Sequence, residues 1–218
     1  MFLTRFDINP RRRGAAKLLT SPHAMHAAVE SGFPPSPPGE QGRVLWRLDA
    51  DGDRATLYIA SPRRPDLTHL VEQAGWPTTQ SWLTRDYQPL LSRISVGQTW
   101  AFRLTANPVR NIRSEGATRG KPVGHVTAAQ QEQWLLDRSE VAGFEIPTTA
   151  DKSPAVAITK RDTLKFRRGE STVTLRIARF DGVLRVTDRE RFVGTLINGL
   201  GRAKGYGCGL ITLASPPE

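Results

Sequence analysis

Apolar and polar residues divide the chain into short strands and helices, and the same order of elements occurs twice. Phe2–Ile8 (FLTRFDI) alternates apolar and polar side chains, the two-residue period of a half-buried strand. A basic segment, residues 11–17, reads as a loop. Ser21-Pro22 then supplies an N-cap followed by proline at the first helical position, and Gly32 closes that helix. Residues 34–39 (PPSPPG) cannot form helix or central strand, because proline lacks the N–H that both require. Two alternating runs, residues 43–49 and 54–60, flank Ala50-Asp51-Gly52-Asp53 and predict a hairpin. Residues 65–74 predict a short helix stopped by Gly75, and residues 81–94 a closing strand with an irregular approach.

The second half runs through the same order. Residues 98–105 (QTWAFRLT) predict a strand that Ala106-Asn107-Pro108 ends or bends. Residues 111–124 (NIRSEGATRGKPVG) are polar, basic and glycine-containing, and predict a mobile segment. Thr127 and Gln130 form a capping box for a helix to about Val141. Residues 155–167 and 172–180 predict strands around Arg168-Gly169-Glu170, and residues 183–186 continue the sheet. Asp188 caps a helix to about Leu200, and residues 210–213 give a final strand. The expected fold is α+β: two tandem ferredoxin-like (RRM-like) βαββαβ domains, residues 1–96 and 97–218.

Charge narrows the partner class. The 218 residues carry a formal net charge of +10, and 25 of the 31 basic residues are arginine. Arginine binds phosphate bidentately and stacks on bases, so a polyanion is the expected partner. Nucleic acid is favoured over a membrane surface because no basic helix with a bulky apolar face is apparent. No stretch approaches the roughly 18 apolar residues of a membrane span, and no apolar run follows Arg11-Arg12-Arg13 as a signal peptide would need. A single cysteine, Cys208, excludes an internal disulfide or a multi-cysteine zinc site, and it reads as a small packed residue. The expectation is a cytoplasmic protein without cofactor.

The candidate chemistry sits in three places. Residues 199–209 (GLGRAKGYGCG) hold five glycines, with Arg202 and Lys204 among them. Such a loop lets backbone amides approach a phosphate closely. It is not a dinucleotide fingerprint, since Lys204 occupies the last glycine position and the loop leads from helix to strand. His23 and His26 stand three residues apart on the first helix, about one turn, and histidine suits proton transfer near neutrality. Nothing nearby supplies a third metal ligand, so no metal is expected. Asp49, Asp51 and Asp53 fail the calcium-loop pattern, because glycine falls at the fourth position and Ala60 at the twelfth; they read as hairpin-turn residues. Lys160, Arg161, Lys165, Arg167 and Arg168 lie on or beside a hairpin whose alternation places some of them on one face. Arg110, Arg113, Arg119 and Lys121 form a second basic cluster.

Four segments resemble the CasE-type CRISPR repeat endoribonucleases of type I-E systems, within the RAMP superfamily. They are residues 102–110 (FRLTANPVR), residues 131–144 (QEQWLLDRSEVAGF), residues 201–213 (GRAKGYGCGLITL), and the first strand with the helix that carries His26. The resemblance spans nearly the whole chain. It implies two ferredoxin-like domains and metal-free cleavage of precursor CRISPR RNA beside the repeat stem-loop. The 2′-hydroxyl would attack and leave a 2′,3′-cyclic phosphate. His26 would be the general acid or base, and the product would stay bound within Cascade. The implied partners are the repeat RNA and other Cascade subunits, with a monomer outside that complex. The family often has tyrosine where this chain has His23, which leaves the role of His23 open between orienting RNA, assisting proton transfer and neither. That departure sustains a second reading, a non-catalytic scaffold that caps the RNA hairpin. A generic tandem RNA-recognition module is weakened by the lack of the aromatic pattern such modules carry.

Overall fold

Strand β1 (Phe2–Ile8) turns Thr4, Phe6 and Ile8 inward and Arg5 outward, as its alternation requires. The computed structural model describes residues 1–35, 42–77, 82–112 and 121–216, apart from the side chains at 112, 121 and 122. After β1 come α1 (Arg13–Thr20), α2 (Pro22–Glu30), β2 (Leu45–Asp51), β3 (Arg54–Ser61), α3 (Thr68–Ala74) and β4 (Trp82–Asp86). The strands form an antiparallel sheet in the order β2-β3-β1-β4, the split βαβ arrangement expected of a ferredoxin-like unit. One face of it packs Phe6, Ile8, Leu57 and Ile59 against Leu18, Met25, Val29 and Leu70 of the helices.

Two local readings are corrected here. The basic segment 11–17 is not a loop: α1 begins at Arg13, because Ala15 and Leu18, three residues apart, share a buried face while the arginines stay outside. Arg12 also donates from Nη1 to the carbonyl oxygens of Val71 and Gly75, both at 3.1 Å, at the C-terminal end of α3. The strand expected over 81–94 ends at Asp86. Gln88–Arg93 is helix α4, with proline in its first turn, and it carries Tyr87, Leu91 and Ile94 into the core of the following half. Burial pushes the Tyr87 phenol up to about 12.

The second half contains β5 (Thr99–Ala106), β6 (Val109–Ile112), β7 (Lys121–Gly124), α5 (Ala128–Ser139), β8 (Phe144–Glu145), β9 (Val156–Arg168), β10 (Ser171–Val186), α6 (Arg189–Asn198) and β11 (Ile211–Ala214). Its sheet runs β11-β5-β10-β8, with β9 also paired to β10, so β11-β5-β10-β9 repeats the strand order of the first half. The capping box at Thr127 and Gln130 and the cap at Asp188 are both formed. Where two strands were expected over 172–186 there is one. Gly182 stays in register opposite Phe102, and a Cβ on it would lie 2.3 Å from the Ala155 oxygen. The ends of the segment expected to be mobile, 111–112 and 121–124, pair together with Val109 and Arg110 as a hairpin, and residues 113–120 lie outside the described set.

The two sheets meet across charged residues. Phe102, Leu104, Phe180 and Leu184 turn toward α5 and α6, so Arg103, Arg179 and Asp181 turn toward the first sheet. Arg47 of β2, only 2 % exposed, crosses the junction. Its Nη1 donates to the carbonyl oxygens of Arg103 at 2.9 Å and Leu210 at 3.2 Å, and its Nη2 donates to Thr212 Oγ1 at 2.9 Å. Its Nε donates to Asp49 at 2.8 Å, and Arg103 continues the chain of charges to Asp49 and Asp181. Asp49, read from the sequence as a turn residue, is therefore an interface carboxylate.

Arg47→Ala removes a buried partner and leaves carbonyls unpaired, so it should cost about 3 kcal/mol in urea unfolding. A loss below about 1 kcal/mol would show that the junction does not depend on it. Cys208 is fully buried and its thiol is pushed up to about 12, so it stays protonated and shielded at pH 8. Ellman's reagent should find no reactive thiol in native protein and one after denaturation.

Candidate functional site

Helix α2 starts where the Ser21 side chain accepts the Ala24 N–H at 3.2 Å, and it buries Met25 and Val29. His26, between them, is turned toward the second half. Its side chain is 36 % exposed. Nδ1 is shielded and has no hydrogen-bond partner, with Glu30 Oε1 at 3.8 Å, beyond bonding reach. The opposite edge faces the glycine-rich loop: a Cβ on Gly205 would lie 3.6 Å from Cε1 and Nε2. Tyr206 meets the imidazole edge-on at 6.3 Å between centroids, and it packs on Phe166 of β9 at 4.8 Å. Nε2 is thus the nitrogen available to a bound molecule.

The loop threads between both halves, and its glycines are where it must come close. A Cβ on Gly201 would touch Trp134 at 3.0 Å, and one on Gly207, at φ 80°, would press into the Trp46 ring at 2.6 Å. Lys204 opens a short 3-10 turn beside His26; partial burial, then the neighbouring Arg43, holds its ammonium below the usual lysine range. Arg43 was not singled out from the sequence, since its proximity to Lys204 is a tertiary fact.

His23 is not brought against His26. It borders a shallow groove with Lys17, Ser21, Ala27, His69 and Gln73. His69 itself binds the Ala28 carbonyl oxygen through Nε2 at 2.8 Å. Among the described residues no group of three His, Cys, Asp or Glu side chains could hold a metal ion, and no helix is long and apolar enough to cross a membrane.

The hairpin cations divide by face. Strand alternation puts Lys160, Asp162, Leu164, Phe166 and Arg168 on the side of Tyr206 and α2. Arg161, Lys165 and Arg167 lie on the other side, where Arg176 of β10, opposite Thr163, joins them. Arg161 is committed internally: it donates to Gln131 Oε1 at 3.0 Å and to the Val126 carbonyl oxygen. Lys160, Lys165, Arg167, Arg168 and Arg176 are exposed. Arg176 was missed, although counting residues in twos across the hairpin would have found it. Arg110 and Arg202 border one cavity with Trp134 and Arg138. Arg113, Arg119 and the Lys121 side chain lie outside the described set.

Comparison with known proteins places this arrangement. A family model described as "CRISPR associated protein" matches residues 1–215. The chain is 32 % identical over 222 residues to the CRISPR-associated endoribonuclease Cse3 of Thermus thermophilus, covering 98 % of this chain and 100 % of that protein. It is 28 % identical over 183 residues to the Cascade subunit CasE of Escherichia coli, covering 78 % of this chain and 88 % of that one. A structure of Thermus thermophilus Cse3 bound to an RNA representing a pre-cleavage complex superposes with a TM-score of 0.81 at 30 % identity, over 98 % of each chain. The resemblance of the four segments thus extends over the whole fold, and the chain belongs to the CRISPR associated protein family, as a member of CasE type.

Proposed function

We propose that this chain is a metal-independent endoribonuclease that cuts precursor CRISPR RNA beside the repeat stem-loop and keeps the product. The observation that carries this is His26, partly exposed, with its Nε2 edge facing a glycine-rich backbone loop at the junction of two RRM-like sheets. Relatives named as Cse3 endoribonuclease and as Cascade subunit CasE support it, as does the Cse3 structure with RNA.

The 2′-hydroxyl next to the scissile phosphate gives up its proton and attacks phosphorus. The P–O5′ bond breaks, the 5′-oxygen gains a proton, and a 2′,3′-cyclic phosphate remains. His26 Nε2 performs one of these transfers. Lys204 and Arg202 in the loop stabilise the anionic phosphorane. The shielded Nδ1 leaves the ring a single working nitrogen. Lys160, Lys165, Arg167 and Arg168 on the hairpin, with Arg110, Arg113 and Lys121, hold the RNA backbone, while Arg161 braces the hairpin through Gln131 and Val126. Shape and phosphate contacts dominate there, because an A-form stem hides its base edges in a deep groove. The protein acts inside the cell as a monomer until it joins the other Cascade subunits.

The histidine at position 23, where the family often has tyrosine, sustains a second reading, in which the chain caps the RNA hairpin without cutting it. One experiment separates them. End-labelled repeat RNA should be cut in EDTA, a matched RNA with a 2′-deoxynucleotide before the cut should remain intact, and His26→Ala should abolish cleavage with affinity within about threefold of wild type. Tight binding of both RNAs without a cut establishes the scaffold, and cleavage lost in EDTA removes the metal-free mechanism. Lys165→Ala with Arg167→Ala should lower the slope of log affinity against log salt by about 1 to 2. An unchanged slope would return these residues to a solvated sheet edge.

A further inference from the structure

The Nδ1 atom of His26 is shielded from solvent, and no hydrogen bond reaches it. An imidazole nitrogen so placed needs a partner whether or not it carries the proton, because water cannot supply one. The Glu30 carboxylate lies one turn further along α2, with Oε1 3.8 Å from Nδ1. Among the described residues that carboxylate has no other hydrogen bond or ion pair. An unmet carboxylate and an unmet ring nitrogen thus stand just beyond bonding distance of each other. The Glu30 side chain is half-exposed, so rotation about its own torsions closes the gap without moving the helix.

Helix energetics give no reason for an acid at this position. Glu30 is the last residue of α2, where a negative charge opposes the macrodipole, and no basic residue in the last turn offsets it. The other elements packed around His26 bring the Tyr206 ring, Lys204 with Arg43 beside it, and Lys160 and Asp162 on the facing side of β9. None of them bonds to Nδ1, and among the described residues no carboxylate except Glu30 pairs with the ring.

We propose that Glu30 is the positioning residue of His26: its carboxylate accepts a hydrogen bond from Nδ1–H and fixes the tautomer whose bare Nε2 takes the 2′-hydroxyl proton. A carboxylate only accepts, so it selects the proton on Nδ1 and leaves the other nitrogen its lone pair. This rests on the endoribonuclease reading and names which of the two proton transfers His26 performs. The O2′–H bond breaks with its proton going to Nε2, and O2′ bonds to phosphorus. The P–O5′ bond breaks, and the departing 5′-oxygen takes a proton from water. The imidazolium keeps the Glu30 carboxylate at its back until it returns its own proton to water.

The test reads the tautomer and the chemistry separately. The ring nitrogens of His26 are assigned by their loss in His26→Ala, and their nitrogen NMR shifts are recorded without RNA at about pH 8.5, where imidazoles are neutral. Wild type should carry its proton on Nδ1, and Glu30→Ala should move it to Nε2. Glu30→Gln, whose amide oxygen still accepts, should keep it on Nδ1. In single-turnover cutting of the repeat RNA, Glu30→Ala should be about tenfold slower and Glu30→Gln within about threefold of wild type, both with RNA affinity within about twofold. Glu30→Ala should melt no lower than wild type, because it removes an acid from the helix end. A proton on Nε2 in wild type, or a cutting rate that Glu30→Ala leaves unchanged, overturns the proposal. So does a slower rate accompanied by lost RNA affinity or a lower melting temperature, which marks a structural role. If wild type binds the RNA without cutting it, the endoribonuclease reading fails and the assigned transfer with it, while the nitrogen shifts still report whether Glu30 holds the ring.

Discussion

A guanidinium buried to 98 % has to find acceptors, and Arg47 finds them on both sides of the junction between the two sheets. Apolar contact alone would let two sheets slide, since burial is non-directional. Hydrogen bonds to the oxygens of Arg103 and Leu210 and to the Thr212 hydroxyl depend on direction, so they fix the angle and register. The residues before Arg47 use the same strand to hold the glycine-rich loop. Leu45 lies where a Cβ on Gly199 would reach it at 2.9 Å, and Trp46 covers Gly207. The loop is thus anchored at both ends by β2, and Gly205 sits between the anchors, against His26.

Glycine at Gly207 is required twice, by a φ of 80° and by the Trp46 ring 2.6 Å from where a Cβ would stand. Tyr206 beside it carries the contact outward: its ring touches His26 on one side and Phe166 of the long hairpin on the other. The loop, helix α2 and hairpin form one packed unit. A shift of the hairpin tip has a continuous van der Waals route to the helix.

Local rules read much of this from the sequence. The caps at Ser21, Thr127 and Asp188, the strand Phe2–Ile8 and the hairpin around Gly52 all depend on neighbours a few residues away, and all are present. Helix α1 was missed because three consecutive arginines outweighed the thinly spaced Ala15 and Leu18. Helix α4 was missed because its apolar residues serve the core of the other half. Arg47 was illegible for the same reason: a strand arginine reads as solvent-facing until a second sheet is laid over it. His26 and the loop could be nominated by residue type, but their meeting is a long-range fact. The split of the hairpin cations into two faces followed from alternation alone and needed only to be counted out.

That split bears on where an RNA can be cut. A stem held on Lys165, Arg167 and Arg176 lies on the face of the hairpin away from Phe166, Tyr206 and His26. An A-form duplex is too stiff to fold around a two-stranded ribbon, whereas an unpaired strand bends freely. Under the proposed function, only nucleotides at the foot of the stem would pass the hairpin edge, meet Arg168 and Lys160 on the near face, and reach Nε2 of His26. On this argument cleavage beside the stem, rather than within it, needs no base-specific contact at the scissile bond. It follows from a helix that cannot bend, a hairpin that it must pass, and an imidazole placed on the far side.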